Sequence, residues 1–334
     1  MRERELSVSV AMCTYNGGPY IEEQLESILR QTVQPCELVA NDDGSSDDTV
    51  EILREFASRA PFPVLIEENP SNLGPTKNFE RSMGRCRGDV VVISDCDDIF
   101  VPRKNEIIRD ALMADPDLGC VFGDAKLIRS DGSPLGLTLW DSIEFGNEDQ
   151  ERFDHGDIVD ALFRRTIAFG GVMGFRREIL DVALPIPLPW GHDNWTALVA
   201  AALYETKLVR EPLLLYRTHQ AQYSGTAKVN IWEKVVAAAR PPEQEKNWVP
   251  KGRSFGMLRD RLVENADRAR SRSRYETVLG HAVAKYEHMT VREGLSSSAL
   301  RRAATILGEA QTRRYHRYSN GLASILRDTV FGSR

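Results

Sequence analysis

The chain has 334 residues, of which 42% are hydrophobic and 28% are charged, and its formal net charge at pH 7 is −6. This length and composition predict a globular protein with a sizeable core, either one large domain or a domain with an appended piece. The acidic balance argues against a nucleic-acid-binding protein, because affinity for phosphate backbones requires clustered Lys and Arg.

Short strand-like segments alternate with helix-like segments in the first part of the chain, as is typical of parallel βαβ units. The predicted strands are residues 6–12, 37–40, 63–66 and 89–93, and the predicted helices are residues 20–30, 48–58 and 76–86. We therefore predict an α/β fold with a central, mostly parallel sheet flanked by helices. Ligands bind at the carboxyl ends of strands in such sheets, so the residues that follow each strand are candidate site residues.

Polar residues follow every predicted strand: TYNGG (14–18), NDDGSSDDT (41–49), ENPSNLGPTKN (68–78) and SDCDD (94–98). Any one of these loops is explained by turns and helix caps alone. Together the loops bring five acids to one rim, namely Asp42, Asp43, Asp95, Asp97 and Asp98. That is more negative charge than turn chemistry requires, and a cation would relieve the repulsion among these carboxylates.

Four ordered segments carry a resemblance to a known family. SVAMCTYNGGPYIEEQLESILRQT, NDDGSSDDT, NLGPTKNFERSM and GDVVVISDCDDIFVPRK resemble glycosyltransferase family 2, the inverting nucleotide-sugar transferases of GT-A fold. The segments look most like those of bacterial rhamnosyltransferase-like members that build surface polysaccharides. The resemblance implies a GT-A catalytic domain over residues 1–227, with a nucleotide-sugar-binding half (about 1–125) and an acceptor-binding half (about 126–227). A helical C-terminal extension over residues 228–334 would follow it.

The resemblance implies a role for four residues near the nucleotide base. Thr14 and Tyr15 match the segment that packs on uracil or thymine, and Asn16 follows them. Asp43 matches the acid that binds the N3 edge of the base. The implied donor is therefore a UDP- or dTDP-linked sugar.

The resemblance also implies a diphosphate and metal site. Asn72 and Lys77 match the loop near the nucleotide and diphosphate, Asp95 matches the ribose- and metal-proximal acid of the DXD motif, and Asp97 matches its metal ligand. The residue chemistry agrees with Mn²⁺ or Mg²⁺ here, because hard divalent cations bind carboxylates and phosphate oxygens together. Such an ion stabilises the charge that grows on a departing diphosphate.

The acceptor half carries a candidate general base. The segment GHDN (191–194) precedes an Ala-rich helix, and Asp193 or Asn194 is well placed to cap that helix. The segment also resembles the family motif whose acid is the general base, which makes Asp193 the candidate catalytic residue. His192 stands where a second acid is commoner. The implied mechanism is a single inverting displacement, in which Asp193 removes the proton of the attacking acceptor hydroxyl.

A later segment, EPLLLYRTHQAQYSG (211–225), resembles the family segment whose histidine reaches the metal or the diphosphate. His219 is therefore a candidate third metal ligand, although a lone histidine is more commonly a surface or packing residue. Arg217 is an alternative phosphate partner. Tyr223 stands where the family commonly has Asn.

The C-terminal part is basic and helix-rich. Residues 301–334 contain seven arginines against Glu309 and Asp328. Apolar residues recur there at helical spacing, namely Tyr318, Leu322, Ile325, Leu326 and Val330. Two interpretations stay open: a helix packed on the catalytic domain or at a homodimer interface, and an amphipathic helix at an anionic lipid surface that suits a lipid-linked acceptor.

Five widely spaced cysteines form no zinc-ligand pattern and fit free thiols in a reducing cytosol. No apolar stretch approaches the roughly 20 residues that span a bilayer, and no leader-like segment precedes the first strand. We therefore expect a cytoplasmic protein, at most attached peripherally to the inner face of the plasma membrane.

The sequence thus predicts a metal-dependent inverting glycosyltransferase in bacterial cell-surface polysaccharide synthesis. It would move a sugar, with rhamnose as one candidate, to a hydroxyl of a glycan or lipid-linked acceptor. The alternatives are a non-catalytic nucleotide-sugar-binding scaffold and a sugar-phosphate nucleotidyltransferase, whose Gly-rich basic phosphate loop is missing from the sequence. A dinucleotide-dependent oxidoreductase is disfavoured because no G-x-G-x-x-G follows the first strand.

Overall fold

The computed structural model describes residues 4–153, 158–164, 166–219 and 252–332. Its strands are β1 (Val8–Thr14), β2 (Glu37–Asp42), β3 (Val64–Glu68), β4 (Val90–Asp95), β5 (Ile99–Phe100), β6 (Leu118–Arg129), β7 (Pro134–Thr138), β8 (Met173–Arg176) and β9 (Glu205–Thr218). The helices of the first 219 residues are α1 (Gly18–Leu29), α2 (Thr49–Arg59), α3 (Pro75–Arg85), α4 (Lys104–Ala114), α5 (Leu139–Ser142), α6 (Asn147–Arg152), α7 (Ile158–Arg164), α8 (Leu180–Ala183) and α9 (His192–Leu203). The later helices are α10 (Gly252–Glu264), α11 (Arg272–Glu293), α12 (Ala299–Gln311), α13 (Arg314–Tyr318) and α14 (Leu322–Phe331).

The strands of the described chain form one mixed sheet in the order β3-β2-β1-β4-β8-β6-β9-β5, with β7 paired to β6. Strand β1 runs parallel to β2 and β4, and β2 runs parallel to β3. The carboxyl ends of these four strands therefore meet at one edge, as a parallel sheet requires. Strand β8 is antiparallel to both β4 and β6. The predicted α/β architecture is confirmed, with a sheet that is parallel in its first four strands and mixed beyond them.

The four predicted strands all form, and each of them extends into the polar residues expected in the loop that follows it. Parallel pairing continues through Thr14 opposite Asp42 and through Cys13 opposite Asp95. Because these acids end strands β2 and β4, the ladder fixes their backbones more firmly than a loop would. The β-prone run at residues 166–175 instead forms a 3₁₀ turn, Gly170–Val172, before the short strand β8.

The sheet separates two hydrophobic layers, because successive side chains of a strand point to opposite faces. On β1, Val10 and Met12 pack with helices α1 and α2, whereas Ala11 and Cys13 pack with helices α3 and α9. All four side chains are buried. Buried central strands of this kind read as continuous apolar runs, which explains why β1 and β4 were visible in the sequence.

The described C-terminal residues are helical and pack on the second layer. Helices α10 and α11 lie against α9, where the Trp190 indole N–H donates to the Ser254 carbonyl at 3.0 Å and the Tyr275 hydroxyl donates to the Leu262 carbonyl at 3.1 Å. A smaller cluster that includes Ile306 joins the last helices. The predicted boundary at residue 228 and the expectation for Tyr223 lie outside the described residues. Within the described ranges, no helix is both long and apolar enough to cross a bilayer.

Candidate active site

The loops after β1 and β2 are joined by hydrogen bonds. Asn16 adopts a positive φ of 48°, which Asn tolerates better than most residues, and its side-chain oxygen accepts from the Ser46 amide at 2.9 Å. The next amide, that of Gly17, donates to the Thr49 hydroxyl at 2.9 Å. A Cβ at Gly17 would lie 2.7 Å from the Cys96 sulfur, so a glycine allows this loop to approach the DXD loop. The hydrogen bonds of Asn16 and Gly17 thus connect the β1–α1 loop to the β2–α2 loop.

Asp42 is buried and organises the loop that follows it. Its carboxylate accepts from the Thr14 hydroxyl at 2.7 Å, from the Gly44 amide at 3.0 Å and from the Ser45 amide at 2.7 Å. Hydrogen bonds to an ionised acceptor are among the stronger ones in proteins. Asp42 and Thr14 therefore form an internal pair, with 1% exposure for each residue.

Asp43 holds the β3–α3 loop by hydrogen bonds. Its carboxylate accepts from the Asn69 amide group, the Leu73 backbone N–H and the Gly74 backbone N–H, each at 2.8 Å. The side-chain oxygen of Asn72 also accepts from Gly74, at 3.1 Å. The structure therefore brings Asp43 and Asn72 into one loop cluster.

Two other predicted donor-site residues lie in different surroundings. Tyr15 is 52% exposed to solvent at the start of the β1–α1 loop. The Lys77 ammonium donates to the Glu80 carboxylate and to the Ile186 carbonyl, both at 2.8 Å. The structure therefore places the Lys77 charge against the segment before α9 and pairs it with Glu80.

The DXD carboxylates are crowded. The Asp98 side chain is buried, and one of its oxygens accepts from the Arg217 amide at 2.9 Å while the other has no hydrogen-bond partner among the described residues. Burial raises the pKa of Asp98 well above its usual range, and Asp97 and Asp95 raise it further. Burial, Asp97 and then Asp193 raise the pKa of Asp95 to about 7. Burial and mutual repulsion thus favour the neutral forms of Asp95 and Asp98, and a nearby cation would favour their ionisation.

A buried lysine that the sequence reading did not single out lies beside these acids. The Lys104 ammonium donates to the Gly171 carbonyl at 2.6 Å and to the Ile93 carbonyl at 3.2 Å, and it lies 3.3 Å from the centroid of the Phe100 ring. Burial lowers the pKa of Lys104 well below its usual value, while Asp98 opposes that shift. The sequence feature that could have indicated Lys104 is its position in the segment VPRK, shortly after the DXD motif. Lys104 therefore links strand β4 to the 3₁₀ turn Gly170–Val172.

His219 and Arg217 meet the DXD loop from strand β9. The His219 Nε2 atom lies 2.9 Å from a carboxylate oxygen of Asp97. Arg217 is buried, and its guanidinium donates to the Asp97 carbonyl at 2.8 Å, to the Ser130 carbonyl at 3.0 Å and to the Glu23 carboxylate. The guanidinium that we considered as a phosphate partner is therefore engaged by the protein and clamps the backbone of the DXD loop.

The residues at this rim fit a divalent cation. The described residues hold no group of three or more His, Cys, Asp or Glu side chains arranged as a complete metal site. They do place the Asp97 carboxylate against the His219 imidazole, at 2.9 Å. An ion bound by one carboxylate and one imidazole would draw its remaining ligands from water or substrate phosphate. A mixed oxygen and nitrogen set suits Mn²⁺ better than Mg²⁺.

Asp193 lies in the first turn of α9, close enough to Asp95 to raise the pKa of that carboxyl. The helix starts after Gly191, which makes no side-chain cap bond, so the interpretation of Asp193 or Asn194 as the N-cap is wrong. The Asp193 carboxylate accepts from the amide of Asn194 at 2.7 Å, and a negative charge is favourable in a first helical turn. The fold thus brings the candidate base to the DXD carboxylates.

His192 is a packing residue here. Its ring stacks on Phe79 with the centroids 3.9 Å apart, and neither ring nitrogen has a hydrogen-bond partner among the described residues. A Cβ at Gly170 would lie 2.6 Å from its Nε2 atom. Burial lowers the pKa of His192, although Asp193 opposes that shift. The neutral ring fills the space between α3, the 3₁₀ turn and the start of α9.

The family model for "Glycosyl transferase family 2" matches residues 9–182 of the chain, which is more than half of it. Chondroitin synthase of Escherichia coli is 32% identical over 126 residues, which are 38% of this chain and 18% of that protein. The chain thus matches less than a fifth of the length of this relative.

Two solved structures share the fold. Staphylococcus aureus TarS 1–349 in complex with UDP-GlcNAc superposes with a TM-score of 0.57 at 15% identity, covering 97% of this chain and 90% of that chain. The mannosyltransferase PcManGT of Pyrobaculum calidifontis, in complex with GDP-Man and Mn²⁺, superposes with a TM-score of 0.50 at 17% identity, covering 98% and 88%. At these identities the likeness establishes the GT-A fold alone.

Proposed function

The chain belongs to glycosyltransferase family 2, and we propose that it is a metal-dependent inverting glycosyltransferase that moves a sugar from a nucleotide-sugar donor to an acceptor hydroxyl. One observation carries the proposal. The 2.9 Å contact of Asp97 with His219, the crowded acids Asp95 and Asp98, and Asp193 all meet at the carboxyl end of β4. A non-catalytic scaffold would have no need to bring Asp193 there.

Asp97 and His219 would hold the metal. When bound, the ion would stabilise the negative charge that develops on the leaving diphosphate. Asp98 accepts from the Arg217 amide and thereby holds the DXD loop in place. Burial, Asp97 and Asp193 together raise the pKa of the Asp95 carboxyl to about 7. The contact between Asp98 and Arg217 thus positions the residues that are proposed to hold the metal.

Asp193 is the proposed general base. It would take the proton of the acceptor hydroxyl at a carboxylate oxygen while that hydroxyl attacks the anomeric carbon opposite the diphosphate. Its carboxylate lies in the first turn of α9 and accepts from the Asn194 amide at 2.7 Å. One displacement inverts the anomeric configuration, and no covalent glycosyl-enzyme forms. Two carboxylates flanking a bond, as in retaining glycosidases, are not part of this scheme.

The donor is proposed to be a UDP- or dTDP-sugar, with rhamnose among the candidate sugars because of the resemblance to rhamnosyltransferase-like members. Thr14, Tyr15, Asn16, Asp43 and Asn72 would form the nucleotide end, and the exposed Tyr15 ring is free to pack on a base. The complexes of TarS with UDP-GlcNAc and of PcManGT with GDP-Man and Mn²⁺ support a nucleotide-sugar donor in general, and the second supports a divalent metal.

The acceptor is proposed to be a glycan or a lipid-linked glycan in bacterial cell-surface polysaccharide synthesis, at the cytoplasmic face of the membrane. The division proposed for the chain assigns residues 1–227 to catalysis and residues 228–334 to the helical extension. Lys77 stays a proposed diphosphate residue only if donor binding releases it from Glu80 and Ile186.

Substitution of Asp193 tests the proposal. The variant Asp193→Asn keeps the shape of the side chain but removes the base, so transfer should fall by at least about 100-fold while donor affinity stays within about twofold. Binding is measured by calorimetry across a panel of UDP-, dTDP- and GDP-sugars with Mn²⁺, Mg²⁺ or chelator, and transfer is measured by nucleotide release.

The matched control is Glu106→Gln, which neutralises an acid in the first turn of α4 that pairs with Arg103. It should leave both measurements unchanged. Unchanged transfer in Asp193→Asn would remove Asp193 from the mechanism. Nucleotide-sugar binding by the wild-type chain without any transfer would favour the scaffold, and absence of binding under any metal would refute both the transferase and the scaffold.

A further inference from the structure

Helix α14 exposes large apolar side chains and buries polar ones, which is the opposite of an ordinary surface helix. Its exposed side carries Leu322, Leu326 and Val330, which are 69%, 67% and 65% exposed. Its buried side carries Ser324 and Asp328. Amphipathic helices of soluble proteins normally turn the apolar stripe inward. Ile325 packs on the small cluster of the last helices, whereas Leu322, Leu326 and Val330 are left largely uncovered by the described chain.

Hydrogen bonds fix this orientation. The Arg292 guanidinium donates to both carboxylate oxygens of Asp328, at 2.6 and 2.9 Å, and the Tyr315 hydroxyl donates to the same carboxylate at 2.9 Å. The Ser324 hydroxyl accepts from the Asn320 amide at 3.1 Å. Rotating α14 to bury its leucines would expose or break these bonds, and a broken buried ion pair is costly.

Helix α12, which packs beside α14, repeats the pattern. Leu300 and Leu307 are 86% and 64% exposed, whereas Glu309 is buried against His288 at 2.8 Å. We call the five exposed apolar side chains of α12 and α14 the apolar face, namely Leu300, Leu307, Leu322, Leu326 and Val330. Five large exposed side chains on two adjoining helices are more than isolated surface residues account for.

The exposed charges on the segment that carries the apolar face, residues 296–332, are basic. Residues 296–332 are all described, and both of their acids, Glu309 and Asp328, are buried and paired. The exposed charges on this segment include Arg301, Arg313 and Arg327. An apolar face on a segment that also exposes arginines matches an anionic lipid surface, into which leucines insert while guanidiniums contact phosphate.

We propose that the apolar face of α12 and α14 docks the protein onto an anionic lipid surface. A second copy of the chain fits less well, because a two-fold contact through this face would bring arginine side chains together with no exposed acid from residues 296–332 to pair with them. The inference deepens the proposed function by placing the enzyme where a lipid-linked acceptor resides. It depends on residues distant from the carboxylate rim.

Vesicle flotation of the full chain tests the docking. Vesicles of phosphatidylcholine containing phosphatidylglycerol should carry the wild-type protein, and pure phosphatidylcholine should not. The triple variant Leu322→Ser, Leu326→Ser, Val330→Ser should lose flotation at least tenfold, and Arg327→Gln should weaken it about fivefold. Leu65→Ser, which changes an exposed leucine of β3, is the matched control and should float like the wild type.

Equal flotation on both vesicle types, or flotation of the triple variant at the wild-type level, would overturn the inference. A dimer that the triple variant dissociates, without any vesicle binding by the wild type, would overturn it in favour of a second copy. Nucleotide-sugar binding is measured on the same samples without vesicles. Wild-type protein that floats but binds no nucleotide sugar would refute the proposed function alone, and protein that binds nucleotide sugar but does not float would refute this inference alone.

Discussion

The acids at the end of β2 and those at the end of β4 have the same chemistry and opposite surroundings. Asp42 and Asp43 receive hydrogen bonds from backbone amides, from the Thr14 hydroxyl and from Asn69. At the end of β4, one Asp98 oxygen has no described partner and the pKa of Asp95 is raised to about 7 by burial and by neighbouring acids. The pair after β2 is satisfied by the protein, whereas the group after β4 is not.

The difference separates acids whose carboxylates the protein itself satisfies from acids that a bound cation would satisfy. A buried carboxylate that is fully hydrogen-bonded stabilises the fold, and its removal leaves orphaned donors. A carboxylate crowded by like charges destabilises the fold until a cation binds, and such groups cluster at functional sites. The comparison leads to four predictions.

The largest effect is expected for Asp97→Asn, which removes the proposed metal ligand. Transfer should fall on the order of 1000-fold, because the ion supplies several kcal/mol of charge stabilisation in the transition state. Thermal stability should change little, since the Asp97 side chain is partly exposed. Nucleotide-release assays with a Mn²⁺ titration measure the loss. Asp131→Asn, an acid of the β6–β7 turn, is the control, and a similar loss there would contradict the assignment.

The opposite outcome is expected for Asp42→Ala. The Thr14 hydroxyl and the Gly44 and Ser45 amides would lose their buried acceptor, so the free energy of unfolding should fall by about 3 kcal/mol. Urea denaturation followed by tryptophan fluorescence measures it. Asp110→Ala, which removes a half-exposed acid, should cost far less. Equal costs for the two variants would erase the distinction between the two groups of acids.

An intermediate effect is expected for Arg217→Lys. Lysine cannot reproduce the forked contacts of Arg217 with the Asp97 and Ser130 carbonyls. The Mn²⁺ concentration for half-maximal activity should rise about tenfold, with a smaller change at saturating metal, as is usual for residues that orient a metal ligand. Arg129→Lys is the control, because its guanidinium contacts only the β6–β7 turn among the described residues. A loss that saturating metal does not restore would make Arg217 merely structural.

The smallest effect is a dependence of stability on pH. The pKa of Asp95, about 7 in the folded chain, exceeds the value near 4 of an unfolded chain, so the folded state binds more protons between these pH values. Stability without metal should therefore fall as pH rises through this window. Asp95→Asn should reduce the fall between pH 6 and pH 7 by about 1 kcal/mol, as measured by urea denaturation with chelator. An unchanged slope in the variant would show that Asp95 ionises normally.

Much of the fold was predictable because its signals are local. The alternation of short apolar runs with segments of helical period gave the first four strands and the helices between them, and their bounds moved by only a few residues. The placement of acids after strands predicted one carboxylate rim, since parallel strands end at a common edge. The contact of His219 with Asp97 was also expected from the resemblance, although the residues are far apart in the chain.

The sequence by itself determined which residue types follow each strand, because periods of 2 and 3.6 residues and turn chemistry act over short distances. Tertiary structure alone decided which acids are satisfied, because the donors to Asp43 come from residues 69–74 and the amide on Asp98 comes from Arg217. It also decided that Lys104 is buried and that α14 turns its leucines outward. Burial and hydrogen-bond saturation depend on segments distant in the chain, and no local pattern encodes them.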